Sequence, residues 1–400
     1  MGKKRKKTQF LALLVFIFFV SSMIQKLSLN LDFLSPFQKA IENFDVSDYA
    51  FTHFNDDAYF ENNVVLINLE NLDRKGIAQL IDSISAYQPK VIGLDALFFG
   101  AKNAQHDFAL FRSIKNAGNV ILSSKLDSVT SDGRHQYMHE PYGLFHTVGK
   151  SAFANLVTGL DDGFRTSRVI TPKEMVGDSV VWSFPAALVE SFDEEAYRHL
   201  KARGNTLESI NWVGNIDHFF RFRASDIFNN NVDLSLLKDK MVIVGYLGPK
   251  LGEVLDYEDV FFTPLNPNPV GRAFPDMYGP VIHANAVSMM LKQNYIDDVE
   301  AYWSKTLGLI VLLLNAFFFQ RLLWWNDNAF ELISRVAQLV QLFIIWAIAI
   351  FLLARWQIKI DFSYALFGVV ISADCVDIYE STFAGKVNAI LKKLDRRKLT

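Results

Sequence analysis

The chain of 400 residues contains a single cysteine, Cys375, so it cannot form a disulfide bond within itself. It also lacks a G-x-S-x-G nucleophile elbow and a P-loop. The segment 245–248 (GYLG) follows a strand pattern but lacks the third glycine of a dinucleotide fingerprint. His135 and His139 stand four residues apart, but not in the H-E-x-x-H pattern of zinc proteases. The sequence therefore predicts no catalytic residues, no metal site, no cofactor and a protein that is not an enzyme.

Long hydrophobic runs are the most prominent feature that the sequence does have. Apolar residues make up 50% of the chain, and 35 of them are phenylalanines. Four apolar segments, at 10–24, 303–323, 336–354 and 362–378, approach the roughly 20 residues that a helix needs to cross a bilayer. The sequence thus predicts four transmembrane α-helices, one N-terminal and three C-terminal.

Basic residues stand at both ends of the chain. Residues 3–7 read KKRKK, and six lysines or arginines lie between 386 and 398. Because Lys and Arg are enriched in cytoplasmic flanks, we expect a protein of the cytoplasmic (inner) membrane with both termini in the cytoplasm. The first segment has the charge order of a signal peptide or an uncleaved anchor, and we favour the anchor.

The C-terminal tail also carries an apolar stripe with basic residues opposite. Such a helix would lie on anionic lipid or bind a partner. The stripe consists of Phe383, Val387, Ile390, Leu391 and Leu394.

The segment between the membrane flanks has the opposite charge. Residues 30–302 hold 23 Lys and Arg against 36 Asp and Glu, a net charge of −13, which argues against a nucleic-acid partner. We expect this segment to fold on the periplasmic or extracellular side. The predicted domains are 1–29 (basic N-terminus and anchor), 30–302 (extracytoplasmic domain), 303–379 (three transmembrane helices) and 380–400 (basic amphipathic cytoplasmic tail).

The extracytoplasmic segment alternates strand and helix patterns, which predicts an α/β fold. Residues 63–70 (NVVLINLE) form a nearly continuous apolar run, as in strands covered on both faces, and further strands are expected at 90–99, 120–122 and 241–245. Apolar residues at 77, 80, 81 and 84 have helical spacing, so 63–99 reads as a βαβ unit. Asp161-Asp162-Gly163 supplies hairpin turn chemistry. We therefore predict a mostly parallel sheet flanked by helices with a β-hairpin insertion.

The motifs of this segment, taken in order, resemble the extracytoplasmic CHASE-2 domain, the second class of cyclase- and histidine-kinase-associated sensing extracellular domains. The matching pieces are VVLINLE, KVIGLDALFF, NLVTGLDDGFRTSRVITP, WSFPAALVE, FRFRASDIFNN, LLKDKMVIVGYLG, FFTPL and YGPVIHANAVSMMLKQNYI, between about 62 and 296. The resemblance implies an exported sensory domain. The sequence departs from the family pattern after the first predicted strand, where the stretch NLDRKGIAQL is shorter than in the family.

Candidate ligand-binding residues follow from the rule that open α/β sheets bind ligands beyond the carboxyl ends of their strands. This rule selects Glu70, Asp95, Ser123, Gly245 and Asp256. The alternative is that the acids among them are solvated or paired with nearby Arg or Lys. An acidic pocket would favour a cationic ligand or a divalent ion.

A second group of residues is assigned coupling or structural roles. Asp162 and Gly163 form the predicted turn, with Arg165 beside it, whereas His283 and Asn285 lie on a helix that precedes the membrane segments. The residue pattern favours hydrogen bonding within the domain over catalysis or metal binding, because Asn is a poor metal ligand.

Two acids are expected inside the last membrane segment, Asp374 and Asp377. Pairing with Arg321 or Arg335, which are predicted at the same level, is favoured over an ion path.

The sequence as a whole predicts a bacterial sensory or receptor subunit. Its exported domain would bind a ligand or envelope protein, and its membrane helices would signal to a separate cytoplasmic or membrane effector, since the family's fused output domain does not appear before Thr400. A homodimer is the simplest way to supply two helix arrangements. The alternative is a structural scaffold subunit of a cell-envelope complex with no small-molecule ligand.

Overall fold

The computed structural model describes residues 3–26, 48, 51, 59–130, 133–157, 166–254, 259–266 and 274–397. The chain divides into two compact units, which are treated separately below. One unit comprises 37–296, and the other comprises 1–36 with 297–400.

The helices within the described ranges are α1 (Lys3–Lys26), α2 (Arg74–Ser85), α3 (Ala104–Ala117), α4 (Gly143–His146), α5 (Phe184–Phe192), α6 (Glu194–Arg203), α7 (Ala224–Phe228), α8 (Gly279–Leu291), α9 (Ala301–Trp325), α10 (Asp327–Trp356), α11 (Ser363–Ile378) and α12 (Ala384–Arg397). A π-helical turn, Tyr379–Phe383, joins α11 to α12. The strands are β1 (Glu61–Asn68), β2 (Val91–Asp95), β3 (Val120–Leu126), β4 (Met138–His139), β5 (Lys150–Phe153), β6 (Val169–Ile170), β7 (Lys173–Val176), β8 (Ser179–Trp182), β9 (Glu208–Ser209), β10 (Phe219–Arg223), β11 (Met241–Gly245), β12 (Val260–Phe261), β13 (Met277–Tyr278), β14 (Asp297–Asp298) and β15 (Ile358–Lys359).

The unit 37–296 is built on a seven-stranded sheet in the order β10-β1-β11-β2-β3-β4, in which β5 also pairs with β3. Pairings among β10, β1, β11, β2, β3 and β5 are all parallel, and only β4 runs antiparallel. The predicted α/β class with a mostly parallel sheet is therefore confirmed.

Both faces of this sheet are covered by helices, which explains why its strands read as continuous apolar runs. Alternate residues of β1 point to opposite sides: Val64 and Leu66 join a core with α5, α6 and α8, whereas Val65 and Ile67 join a core with α2, α3 and α7. Helix α2 begins at Asp73, whose carboxylate accepts a hydrogen bond from the N–H of Gly76.

The strand order differs from the simple βαβ reading. Strands β1 and β2 are parallel and are connected through α2, but β11, from much later in the chain, lies between them. Strand β2 also ends at Asp95, earlier than the predicted residue 99. Hydrophobic patterns identify strands that are buried, but they carry no information on which strand is the neighbour.

The predicted hairpin turn at 161–163 lies outside the described residues. The described strands on either side pair elsewhere: Lys150–Phe153 with β3, and Val169–Ile170 with β9. A hairpin that the sequence analysis did not predict is formed by β7 and β8, with Gly177 at a φ of +55° in its turn.

In the other unit, three helices are long and apolar enough to cross a membrane: Lys6–Met23 within α1, Ala301–Trp325 and Asp327–Trp356. The fourth predicted span, α11, is 16 residues long before the π-helical turn begins. Four transmembrane helices are thus not confirmed by helix length, although α11 occupies the expected segment.

Helices α9 and α11 lie side by side and run in the same direction. A Cβ atom at Gly308 would stand 2.5 Å from the Cβ of Tyr364, and one at Gly368 would stand 3.3 Å from the Cβ of Leu312. Toward the other end, the amide of Gln320 donates to a Glu380 oxygen at 2.7 Å. Glycines at these positions let the two helix backbones approach closely.

Polar side chains tie α10 to α11. The Arg335 guanidinium binds both carboxylate oxygens of Asp374, at 2.6 and 3.2 Å. The amide of Gln338 donates to the carbonyls of Val369 and Val370 at 2.8 and 2.9 Å. The structure thus pairs Asp374 with a predicted partner, whereas the Asp377 backbone carbonyl accepts from the hydroxyl of Ser381.

A short parallel ladder connects the two ends from which α9 and α11 start. Strand β14 pairs with β15, and the N–H groups of Asp297 and Val299 donate to the carbonyls of Gln357 and Lys359, both at 2.8 Å. The chain that leads into α9 is thereby hydrogen-bonded to the loop that leads into α11.

We expect Gly308→Ala to destabilise the helical unit by about 1–2 kcal/mol, because overpacking against Tyr364 exceeds the gain in helix propensity. Gly385→Ala in α12 is the matched control, since its Cβ would meet nothing within 4 Å. The control should gain up to about 1 kcal/mol. Thermal unfolding of the full-length protein in detergent checks both, and equal shifts would contradict the close contact.

Candidate functional site

A cavity of about 540 Å³ opens at the carboxyl edge of the parallel sheet, where α/β proteins bind ligands. Residues from six separate segments contribute to it, and the volume is in the range of small-molecule sites. The lining residues include Asp95, Ser124, Lys125, Ala154, Tyr246, Asp259, Phe261, Gly279, Pro280 and His283.

The strand register and one glycine explain how these segments meet. Asp95 is the last residue of β2 and pairs in register with Gly245, the last residue of β11. A Cβ at Gly245 would stand 2.5 Å from the Cγ of Pro280, in the first turn of α8. The predicted site residue Gly245 therefore acts by having no side chain, which lets the N-terminus of α8 reach the edge of the sheet.

Helix α8 brings His283 to Asp95. The Nε2 atom of His283 lies 3.8 Å from Oδ2 of Asp95, and their side chains are 3% and 17% exposed. The Nδ1 atom of His283 is buried and has no hydrogen-bond partner among the described residues. The sequence analysis selected both residues but did not place them together.

Burial changes the protonation of both groups in the same direction, toward the neutral form. It raises the pKa of Asp95 to about 7, with a further contribution from the negative charge of Asp259. It lowers the pKa of His283 to about 4, against a smaller opposing effect of the Ala154 backbone. At neutral pH the cavity therefore contains an uncharged imidazole beside a carboxyl group that is poised between its two forms.

The other predicted ligand-binding residues lie apart from this pair or outside the described residues. Glu70 accepts hydrogen bonds from the N–H and hydroxyl of Ser225, at 2.8 and 3.0 Å, and so caps α7. Ser123 is buried on β3, and its hydroxyl has no partner among the described residues. Asp256 is outside the described residues, as are Asp162, Gly163 and Arg165 of the predicted turn.

Asn285 makes a complete set of hydrogen bonds within the domain. Its oxygen accepts from the N–H groups of Val213 and Gly214 at 2.8 and 3.2 Å, and its amide donates to the carbonyls of Gly214 and Val281, both at 2.9 Å. Asn285 thus fixes α8 to the segment before β10, which is the arrangement expected of a structural polar residue.

Sequence reasoning missed Asn68, the last residue of β1. Its buried side chain accepts hydrogen bonds from the N–H groups of Leu247 and Glu70, both at 3.0 Å, and donates to the carbonyl of Gly248 at 2.7 Å. These bonds shape the loop after β11 that carries Tyr246 into the cavity. A single Asn closing an apolar strand was the only signal in the sequence.

The far end of α8 is also held by a polar cluster. The buried carboxylate of Glu61, at the start of β1, accepts from the hydroxyls of Ser288 and Tyr59 and pairs with the ammonium group of Lys292, which lies 3.0 Å away. Burial lowers the pKa of Lys292 to about 8. Both ends of α8 therefore contact the sheet through ionisable groups.

The chain thus combines a three-layer α/β unit, with a cavity at the carboxyl edge of its sheet, and three apolar helices that are long enough to cross a membrane. The model of the CHASE2 domain family matches residues 12–318, and the chain belongs to that family. This match confirms the resemblance in the motifs. CHASE2 domains are extracellular sensory domains. The comparisons with curated proteins and with solved structures found no match.

We expect Asp95→Asn to stabilise the protein at pH 8 but not near pH 4. A carboxyl group whose pKa rises from 3.8 to about 7 on folding costs free energy wherever the unfolded state is ionised, so the cost grows from pH 4 to pH 7 and then stays constant. Removing it should gain up to about 4 kcal/mol, because each of the roughly three pKa units is worth about 1.4 kcal/mol.

The melting temperature of the full-length protein in detergent, followed across this pH range, measures the gain. Asp239→Asn is the control, because Asp239 is exposed and Asn tolerates its left-handed φ of +58°. A gain that is independent of pH would show that Asp95 is not buried in this way.

Proposed function

We propose that the protein is a non-enzymatic sensory subunit of the bacterial cytoplasmic membrane, whose extracytoplasmic unit binds a small ligand in the cavity beside Asp95 and His283. The observation that carries this proposal is the approach of His283 to Asp95, 3.8 Å apart at the sheet edge where α/β folds bind ligands, with Nδ1 of His283 buried and without a hydrogen-bond partner among the described residues.

Helix α8 is the element best suited to transmit binding. His283 in its second turn faces the cavity, whereas Ser288 and Lys292 at its other end hold the Glu61 carboxylate. The chain then continues into α9, the first of the C-terminal apolar helices. A ligand that binds one position of α8 more tightly than another would shift the population of helix arrangements.

The proposed partners are a separate effector and a second copy of this chain. The effector would be a separate cytoplasmic or membrane protein, and a homodimer would supply two symmetric helix arrangements. The net charge of −13 in residues 30–302 supports the proposal that nucleic acid is not a partner of this protein. The scaffold alternative, in which this unit only contacts an envelope protein, predicts that no small molecule enters the cavity.

The proposed topology has four membrane crossings and cytoplasmic termini. Its support is the parallel packing of α11 on α9, from Gly308 beside Tyr364 to Gln320 beside Glu380. Since α9 has the length to cross a bilayer, a helix that follows it in the same direction lies at the same depth. Three crossings would instead leave 357–400 outside.

Cysteine labelling distinguishes the two topologies in a Cys375→Ser background. An impermeant maleimide should label Ser128→Cys in intact spheroplasts but should label Ala389→Cys only after permeabilisation; both positions are exposed. Labelling of Ala389→Cys in intact spheroplasts would establish an odd number of crossings. Protection of Ser128→Cys would contradict an extracytoplasmic sensory unit.

A thermal-shift screen of the full-length protein against small molecules tests ligand binding. We expect at least one compound to raise the melting temperature of the wild-type protein and to have no effect on Ala154→Phe, which fills the cavity from its wall. Compounds that act equally on both proteins bind elsewhere. If no compound raises the melting temperature of the wild-type protein, the scaffold function would be favoured.

A further inference from the structure

The floor of the cavity contains a buried polar atom that has no hydrogen-bond partner in the described part of the chain. The His283 side chain is 97% buried, and its Nδ1 atom has no hydrogen-bond partner among the described residues. Its Nε2 atom and the Asp95 carboxylate are 3.8 Å apart, beyond hydrogen-bond distance. Because buried polar groups in proteins almost always have partners, this part of the cavity is suited to a ligand that brings hydrogen-bonding groups of its own.

The charges around the floor favour a cation. Asp95 and Asp259 both line the cavity, and repulsion from Asp259 contributes to the raised pKa of Asp95. A positive group bound between them would relieve that repulsion and favour the ionised form of Asp95. Lys125, the cationic side chain that also lines the cavity, is exposed and lies on the β3 side.

The uncharged state of His283 is compatible with such a ligand. A protonated imidazole would repel a cation, but burial holds the pKa of His283 near 4, so at neutral pH one ring nitrogen accepts a hydrogen bond. The floor therefore presents a carboxylate and an imidazole nitrogen as acceptors, with the Asp259 carboxylate nearby, to the three N–H donors of an ammonium group.

Size and wall composition select an organic cation over a metal ion. Among the described residues, no group of three His, Cys, Asp or Glu side chains is placed to hold a metal. The cavity of about 540 Å³ is far larger than one ion, and Tyr246 and Phe261 supply aromatic walls for an apolar body or a cation–π contact.

We propose that the ligand is a small organic amine, bound as an ammonium ion by Asp95, Asp259 and His283 with its apolar part against Tyr246 and Phe261. This inference rests on the proposed function, because it names the chemical class of the ligand for the same cavity.

The test compares three isosteric sets of compounds on the full-length protein in detergent at about pH 8. The first set is butylamine, hexylamine and phenethylamine, and the others are the matching alcohols and carboxylates. Isothermal titration and the shift in melting temperature should both detect the amines, whereas alcohols and carboxylates should bind at least about tenfold more weakly.

The dependence on pH gives a second readout that a merely structural role of Asp95 would not produce. Amine affinity should fall about 30-fold from pH 8 to pH 5.5, because Asp95 takes up a proton that competes with the ammonium group. In Asp95→Asn the affinity should be at least about tenfold lower at pH 8 and independent of pH. The exposed-site control, Asp239→Asn, should behave as the wild-type protein.

The failures of the two proposals are distinguishable. Alcohols or carboxylates that bind as tightly as the amines would overturn the cationic ligand while leaving a ligand-binding cavity in place. Amine affinity that is unchanged in Asp95→Asn would also overturn it. If no compound of these sets binds and the broader screen is silent as well, the sensory proposal fails together with this one.

Discussion

The contact between the first turn of α8 and the last residue of β11 is the constraint on which the site depends. Pro280 reaches the edge of the sheet only because residue 245 is glycine, since a Cβ there would stand 2.5 Å from the proline ring. With α8 in this position, His283 is placed 3.8 Å from Asp95, and Asn285 bonds to the segment at 213–214. One missing side chain thus allows the helix to close one side of the cavity.

The interior of the cavity is energetically unfavourable for the protein alone. Burial opposes ionisation of Asp95 and protonation of His283, and the buried Nδ1 atom of His283 has no hydrogen-bond partner among the described residues. Asn68 and Asn285 are equally buried, but each has hydrogen-bond partners for both its amide oxygen and its amide nitrogen. This contrast separates polar residues that hold the fold together from polar residues that face the cavity.

Much of the fold could be predicted from the sequence, because strands buried on both faces must be apolar throughout and helix α2 has one apolar side. The position of β11 between β1 and β2 could not, since no local pattern records which strands are neighbours. Asp95 was selected by the rule for strand ends, but its meeting with His283 depends on Gly245 and on folding across most of the domain. Glu70 satisfied the same rule and instead caps α7, which shows that a strand-end acid alone does not define a site.

The ladder between β14 and β15 joins the two segments from which α9 and α11 start. Hydrogen bonds at Asp297 and Val299 join the polypeptide leading into α9 to the loop leading into α11. Further along, the two helices pack closely at Gly308 and Gly368. A displacement of the backbone at Asp297 would therefore act on the starts of both α9 and α11. The ion pair of Arg335 with Asp374 joins α10 to the same pair of helices.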